Sequence, residues 1–138
     1  MPAFASLEVS DVAASLRWYE TVLGFRPIYE GPPGGDGKPM MVHLRRSRYQ
    51  DLLLFPGSVN EPGQGVVLNF LPGDEAVAAL AGRARAAGGR VEGPVERLWN
   101  AREVTLYDPD GYRMRFSEPL DLGKSFSEVM DQVWGKGR

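Results

Sequence analysis

The feature that most limits the possible folds of this chain is an order of segments that occurs twice: a strand, a helix and then three strands. In the first copy, apolar residues alternate over residues 3–9, which indicates a half-buried strand. A helical apolar stripe follows from Val12 to Leu23, between the N-cap candidates Ser10 and Asp11 and the C-terminal Gly24. Three extended segments complete this copy, at residues 25–29, 40–44 and 52–55.

The second copy has the same order but little residue identity with the first. A strand is predicted over residues 65–71, and Asp74 is placed to cap a helix that Gly88 and Gly89 would end. Residues 90–95 are extended, and a β-hairpin is predicted over 102–117. The sequence Asp-Pro-Asp-Gly between the two alternating runs of this hairpin is typical of a tight turn.

A short helix is predicted after the second copy, because Ser125 and Glu128 have the spacing of a capping box in front of an apolar stripe. The whole pattern predicts an α+β fold with two βαβββ modules, at about residues 3–57 and 65–118. With the C-terminal helix at about residues 125–134, they would form a single domain over residues 1–138.

The composition excludes several kinds of site. There is no cysteine, which excludes disulfides, cysteine-ligated metals and a thiol nucleophile, and the single histidine, His43, excludes a site built from two histidines of one chain. The net charge is −2 and no basic stripe occurs, which argues against nucleic acid as a partner. Without a membrane-spanning run or a signal pattern, we expect a cytoplasmic protein with no membrane partner.

Two motifs carry a family likeness. Residues 9–11 are Val-Ser-Asp, residues 15–25 are Ser-Leu-x-Trp-Tyr-x-x-Val-Leu-Gly-Phe, and residues 108–112 are Asp-Pro-Asp-Gly-Tyr. They resemble the first strand-to-helix motif and the last hairpin of the vicinal oxygen chelate superfamily, which includes glyoxalase I, extradiol dioxygenases and bleomycin-resistance proteins. The resemblance covers residues 3–118. It implies two modules that form a curved mixed sheet around a cleft, and a homodimer.

Metal-dependent members of that superfamily take their ligands from the first strand of each module and from late strands. The resemblance places these positions at Phe4, near Val66, at Arg115 and at residues 51–53. Phenylalanine, valine and arginine do not chelate a divalent cation, so we expect no metal and no cofactor. An arginine there would suit a carboxylate or phosphate of a ligand, or would pair internally with Glu8 or Glu103.

We therefore expect a metal-free protein that binds a small organic molecule, anionic or aromatic, in an apolar cleft. No catalytic residue is assigned, and the candidate ligand-binding residues are Phe4, Ser6, Glu8, Val66, Trp99, Tyr107 and Arg115. One alternative is a metal-dependent lyase, isomerase or dioxygenase whose atypical site draws on Glu8, His43, Asp51 or Glu103. Another is a protein-interaction role for the C-terminal helix.

Overall fold

The computed structural model of the protein describes residues 3–135, so the predicted domain limits at residues 1 and 138 lie outside the described range. The elements follow the predicted order. The strands are β1 (Ala5–Val9), β2 (Arg26–Glu30), β3 (Val42–Arg45), β4 (Asp51–Pro56), β5 (Leu68–Phe70), β6 (Val91–Arg97), β7 (Ala101–Tyr107) and β8 (Arg113–Pro119). The helices are α1 (Val12–Leu23), α2 (Val77–Ala86) and α3 (Phe126–Trp134).

The strands form two four-stranded mixed sheets, in the orders β1-β4-β3-β2 and β5-β8-β7-β6. In the first sheet β1 runs parallel to β4, and β3 runs antiparallel to β4 and β2. In the second sheet β5 runs parallel to β8, and β7 runs antiparallel to β6. The strands of each module therefore occur in the same spatial order, which confirms the predicted α+β fold with two βαβββ modules.

The chain divides into two compact units. The first consists of the chain up to Val66 together with Tyr107–Tyr112, and the second consists of Val67–Leu106 and the chain from Arg113 onwards. The tip of the β7–β8 hairpin is thus counted with the first unit. The single domain predicted for residues 1–138 stays a prediction.

Helix α1 begins and ends where the sequence predicts. The backbone N–H of Ala14 donates to the Asp11 carboxylate at 3.0 Å, and Gly24 takes the left-handed conformation at φ 72° that ends the helix. One side of α1 is buried with the apolar side chains of its sheet, and Tyr19 is fully buried. The core of this unit includes Leu7, Val9, Val42, Leu44, Leu52 and Leu54.

Helix α2 begins later than predicted, and the prediction that Asp74 caps it is wrong. The N-cap residue is Ala76, whose methyl side chain cannot accept a hydrogen bond. The backbone N–H of Val77 donates instead to the Glu118 carboxylate at 3.3 Å, from the neighbouring strand β8. A side chain distant in sequence therefore satisfies a group that a local cap would otherwise serve.

Helix α3 starts with the predicted capping box, in which Ser125 and Glu128 each accept from the other's backbone N–H. Val129 is buried, whereas Phe126 is 78% exposed and Trp134 is 61% exposed. Within residues 3–135, none of the helices combines the length and the apolar character needed to cross a bilayer.

The turn of the β7–β8 hairpin is organised by Asp108, which is buried. Its carboxylate accepts from the backbone N–H groups of Asp110 at 2.9 Å and Tyr112 at 2.8 Å, and the buried phenol of Tyr19 donates to it at 2.7 Å. Burial raises the pKa of the Asp108 carboxyl, because desolvation outweighs these hydrogen bonds. One aspartate therefore closes the turn and also holds it against helix α1.

Replacing Tyr19 with Phe would remove the phenol that donates to the buried Asp108. We expect the free energy of unfolding in urea to fall by about 1–3 kcal/mol, the usual cost of leaving a buried polar group without its partner. Tyr29→Phe is the matched control, because this side chain is 56% exposed. It should change the free energy of unfolding by less than about 0.5 kcal/mol, and equal losses in both variants would contradict the role given to Tyr19.

Candidate functional site

Each sheet has one face buried in apolar contacts and one face that carries polar side chains, here called its polar face. In β8, the buried Met114 and Phe116 alternate with the partly exposed Arg113, Arg115 and Ser117. The strand register places Glu103 opposite Val95, and the contact between Glu103 and Arg115 puts both on the polar face of the second sheet. The first sheet likewise has a polar face, which carries Ser6, Glu8, His43 and Asp51.

The polar side chains of the second sheet meet around Glu103, whose side chain is only 7% exposed. The indole N–H of Trp99 donates to Glu103 Oε1 at 2.9 Å, and Arg97 Nε lies 3.6 Å from the same oxygen. Arg115 Nε lies 3.4 Å from Glu103 Oε2. The guanidinium of Arg97 also lies over the Trp99 ring, 5.6 Å from its centroid. We call these residues, Arg97, Trp99, Glu103 and Arg115, the Glu103 cluster.

A tight connection between β6 and β7 brings most of this cluster together. Asn100 has φ 60°, a left-handed conformation that asparagine tolerates better than most residues. Its side chain is held by Asp121: the Asn100 Nδ2 donates to the Asp121 carbonyl at 2.8 Å, and the Asp121 N–H donates to Asn100 Oδ1 at 2.9 Å. Arg97, Trp99 and Glu103 therefore lie on one short hairpin whose turn is fixed from outside.

The polar face of the first sheet has a tighter ion pair. Arg45 donates to the fully buried Asp51 carboxylate from Nε at 2.7 Å and from Nη2 at 2.9 Å. His43 Nε2 lies 3.5 Å from Asp51 Oδ2. The hydrogen bonds from Arg45 lower the pKa of Asp51, because they favour the charged form by more than burial disfavours it.

The structure brings together two of the predicted ligand-binding residues, Trp99 and Arg115, through their shared contact with Glu103. The internal pairing of Arg115 with Glu103, one of the alternatives drawn from the sequence, is present. Ser6 and Glu8 are exposed on β1, and Tyr107 ends β7. The remaining two precede strands: Phe4 is 50% exposed and Val66 is 57% exposed.

Sequence reasoning missed Arg97 as a site residue. Its place follows from the register of β6 and β7, where Arg97 lies opposite Ala101, two residues before Glu103. The sequence does indicate that Ala101 and Glu103, two residues apart on a strand, lie on the same face of the sheet. Placing Arg97 beside them would have required knowing that the strand predicted to end at residue 95 continues to residue 97.

The residues at the positions implied by the family resemblance do not fit a divalent metal. Phe4 and Val66 have no donor atom, and Arg115 is a cation paired with a carboxylate. Within the described residues 3–135, no group of three or more His, Asp and Glu side chains is placed to hold a metal ion. His43 and Asp51 are close, but Arg45 already donates to both oxygens of Asp51.

Comparison with known proteins agrees with this fold. The sequence profile of the Glyoxalase/Bleomycin resistance protein/Dioxygenase superfamily matches residues 3–116. The chain belongs to this superfamily. No curated protein is similar enough in sequence to match.

Several solved structures of this superfamily's fold are similar. The fosfomycin resistance protein FosX from Listeria monocytogenes gives a TM-score of 0.72 at 16% identity, over 92% of this chain and 95% of that one. A glyoxalase/bleomycin resistance protein from Streptomyces sp. CB03234 gives 0.62 at 23% identity, over 83% and 97%. The antibiotic binding protein TnmS3 from the same strain gives 0.59 at 25% identity, over 84% and 93%.

Asp51→Asn tests the ion pair of the first sheet. Because the folded-state pKa of Asp51 is lowered from 3.8, its charge contributes stability above the unfolded pKa that is lost as the pH falls through the folded pKa. We expect the wild type to exceed the variant in free energy of unfolding by about 1 kcal/mol or more at neutral pH. This difference should shrink as the pH falls below about 4.

The control for this comparison is Asp74→Asn, which changes an exposed carboxylate. It should show no such pH-dependent difference from the wild type. A gap between wild type and Asp51→Asn that stays constant from neutral to acid pH would contradict the stabilising charge pair.

Proposed function

We propose that this protein binds a small organic molecule, anionic or aromatic, without the help of a metal ion. The observation that carries the proposal is the Glu103 cluster. Where the resemblance to metal-dependent relatives implies a carboxylate ligand, this chain has Arg115, and that arginine is held beside a buried glutamate. A fixed positive charge therefore takes the place in which those relatives would use a bound cation.

The surface around the cluster suits a small ligand. Trp99 is 49% exposed, and its ring is kept in one orientation by the hydrogen bond from its N–H to Glu103. A held indole offers a broad apolar surface at little cost in conformational entropy, and the two arginines beside it supply N–H donors. Binding would combine burial of ligand surface with a few oriented polar contacts, as is usual for small-molecule sites.

Two structural neighbours support this class of ligand. TnmS3 is named as an antibiotic binding protein and FosX as a fosfomycin resistance protein, and this chain covers more than nine-tenths of each. We infer a ligand of antibiotic-like size. The alternative of a metal-dependent lyase, isomerase or dioxygenase is less well supported, because Phe4, Val66 and Arg115 stand at the implied ligand positions.

The proposal can be tested with 2-naphthamide, a neutral aromatic probe, in a titration followed by the indole N–H signals of the three tryptophans. We expect the Trp99 signal, identified by its loss in Trp99→Phe, to shift in a saturable way. The shift should be the same after treatment with EDTA and dialysis. Elemental analysis of the purified protein should find no transition metal in stoichiometric amount.

Trp134 is the internal control, because it is 61% exposed on α3 and lies outside the cluster. If the probe merely adheres to exposed indoles, the Trp134 signal will shift as much as that of Trp99, and the proposed site is wrong. A stoichiometric metal whose removal abolishes the Trp99 shift would favour the enzyme alternative and overturn the metal-independent function.

A further inference from the structure

We propose that the Glu103 cluster selects aromatic ligands that carry a single negative charge, such as an aryl carboxylate, over neutral ligands of the same shape. The anion would lie against Arg97 and Arg115, and the ring would lie beside Trp99. This inference rests on the proposed function and names the chemical class of its ligand.

One donor of the cluster is buried and lacks a hydrogen bond. Arg115 Nε is buried and makes no hydrogen bond to any residue among 3–135, although Glu103 Oε2 lies 3.4 Å away. Buried donors in folded proteins nearly always have a partner, so a donor without one calls for a specific explanation. Because Nε itself is buried, a ligand acceptor would reach this guanidinium through the exposed part of the Arg115 side chain, which is 34% exposed.

The ion pairs at Glu103 are longer than usual. Charge-assisted hydrogen bonds between nitrogen and oxygen are usually about 2.7–2.9 Å long. Arg45 and Asp51 reach 2.7 and 2.9 Å in the same protein, whereas Arg97 and Arg115 stay at 3.6 and 3.4 Å from Glu103. The two arginines of the cluster are thus oriented by Glu103 without being saturated by it.

The charges of the cluster do not balance. Two guanidiniums share one carboxylate that also accepts from the Trp99 N–H, so N–H donors outnumber the lone pairs of Glu103. The neighbouring carboxylates of Glu96 and Glu118 lie near Arg102 instead, with closest N–O distances of 3.1 and 3.8 Å. The cluster therefore has one positive charge in excess, which a single anion would balance.

The ring of Trp99 lies next to the positive charge of the cluster. Trp99 is half-exposed, and Arg97 lies over it while also pairing with Glu103, so the aromatic surface and the positive charge are held side by side. A planar guanidinium matches a carboxylate in shape and can donate two parallel hydrogen bonds to it. A ligand in which the carboxylate is attached directly to an aromatic ring would use both features at once.

The test compares 2-naphthoate with 2-naphthamide, which share their ring system and nearly their shape but differ in charge. We expect the wild type to bind 2-naphthoate about tenfold more tightly, as judged from titration of the Trp99 indole signal, because hydrogen bonds to a charged group are the stronger kind. Added salt should weaken the binding of naphthoate and leave that of naphthamide unchanged.

Three variants locate the preference. Arg115→Gln should bring the ratio of the two dissociation constants close to one, and Arg97→Gln should lower it at least threefold. Arg115→Gln removes a partner of the buried Glu103 and so also lowers the stability of the fold. Arg97→Gln is the second variant because Arg97 is the more exposed and more distant of the two partners. Arg102→Gln is the control, because it also removes one positive charge, from a side chain that is 42% exposed against 41% for Arg97 and that pairs with Glu96 and Glu118 instead of Glu103. It should preserve the ratio.

The outcomes separate the inference from the function beneath it. Equal affinities of the wild type for both probes would overturn the charge preference and leave the proposed binding function standing. An absence of any Trp99 shift with either probe would overturn both. A loss of preference in Arg102→Gln as large as that in Arg115→Gln would show a general charge effect and overturn the assignment to the Glu103 cluster.

Discussion

A carboxylate that is buried in a protein must be paired, because removing its hydration without compensation costs more than any single contact returns. Three carboxylates are buried among residues 3–135, Asp51, Glu103 and Asp108, and each has a different set of donors. Asp51 has a guanidinium, Asp108 has a phenol and backbone N–H groups, and Glu103 has an indole with two guanidiniums. The pairing of these carboxylates fixes side chains on both polar faces and closes the turn of the β7–β8 hairpin.

The carboxylates differ in how completely they saturate the donors around them. The pair of Arg45 and Asp51 is closed, with both carboxylate oxygens engaged by one guanidinium. Around Glu103 the positive charge exceeds the negative charge, and the buried Arg115 Nε makes no hydrogen bond within the described part of the chain. The pair of Arg45 and Asp51 has the short bidentate geometry of a structural ion pair, whereas the excess positive charge beside a half-exposed tryptophan is the basis of the binding site that we propose.

Most of the fold could be predicted because its signals are local. The N-cap and terminal glycine of α1 and the capping box of α3 lie within a few residues of the helices they define. The start of α2 could not be predicted from Asp74, because Glu118 in strand β8 accepts from its first N–H group. Arg97 was missed for the same reason: its place depends on strand register, which only the folded hairpin sets.

An arginine at the position where the resemblance implies a metal ligand also limits the chemistry that the cluster can support. A guanidinium stays protonated at every physiological pH, so it can hold an anion but cannot serve as a general base. Glu103 is tied to an indole and two arginines, which favours its role as the group that orients them. In the binding function that we propose, the cluster would attract and orient a ligand by fixed charge, and salt would weaken that attraction.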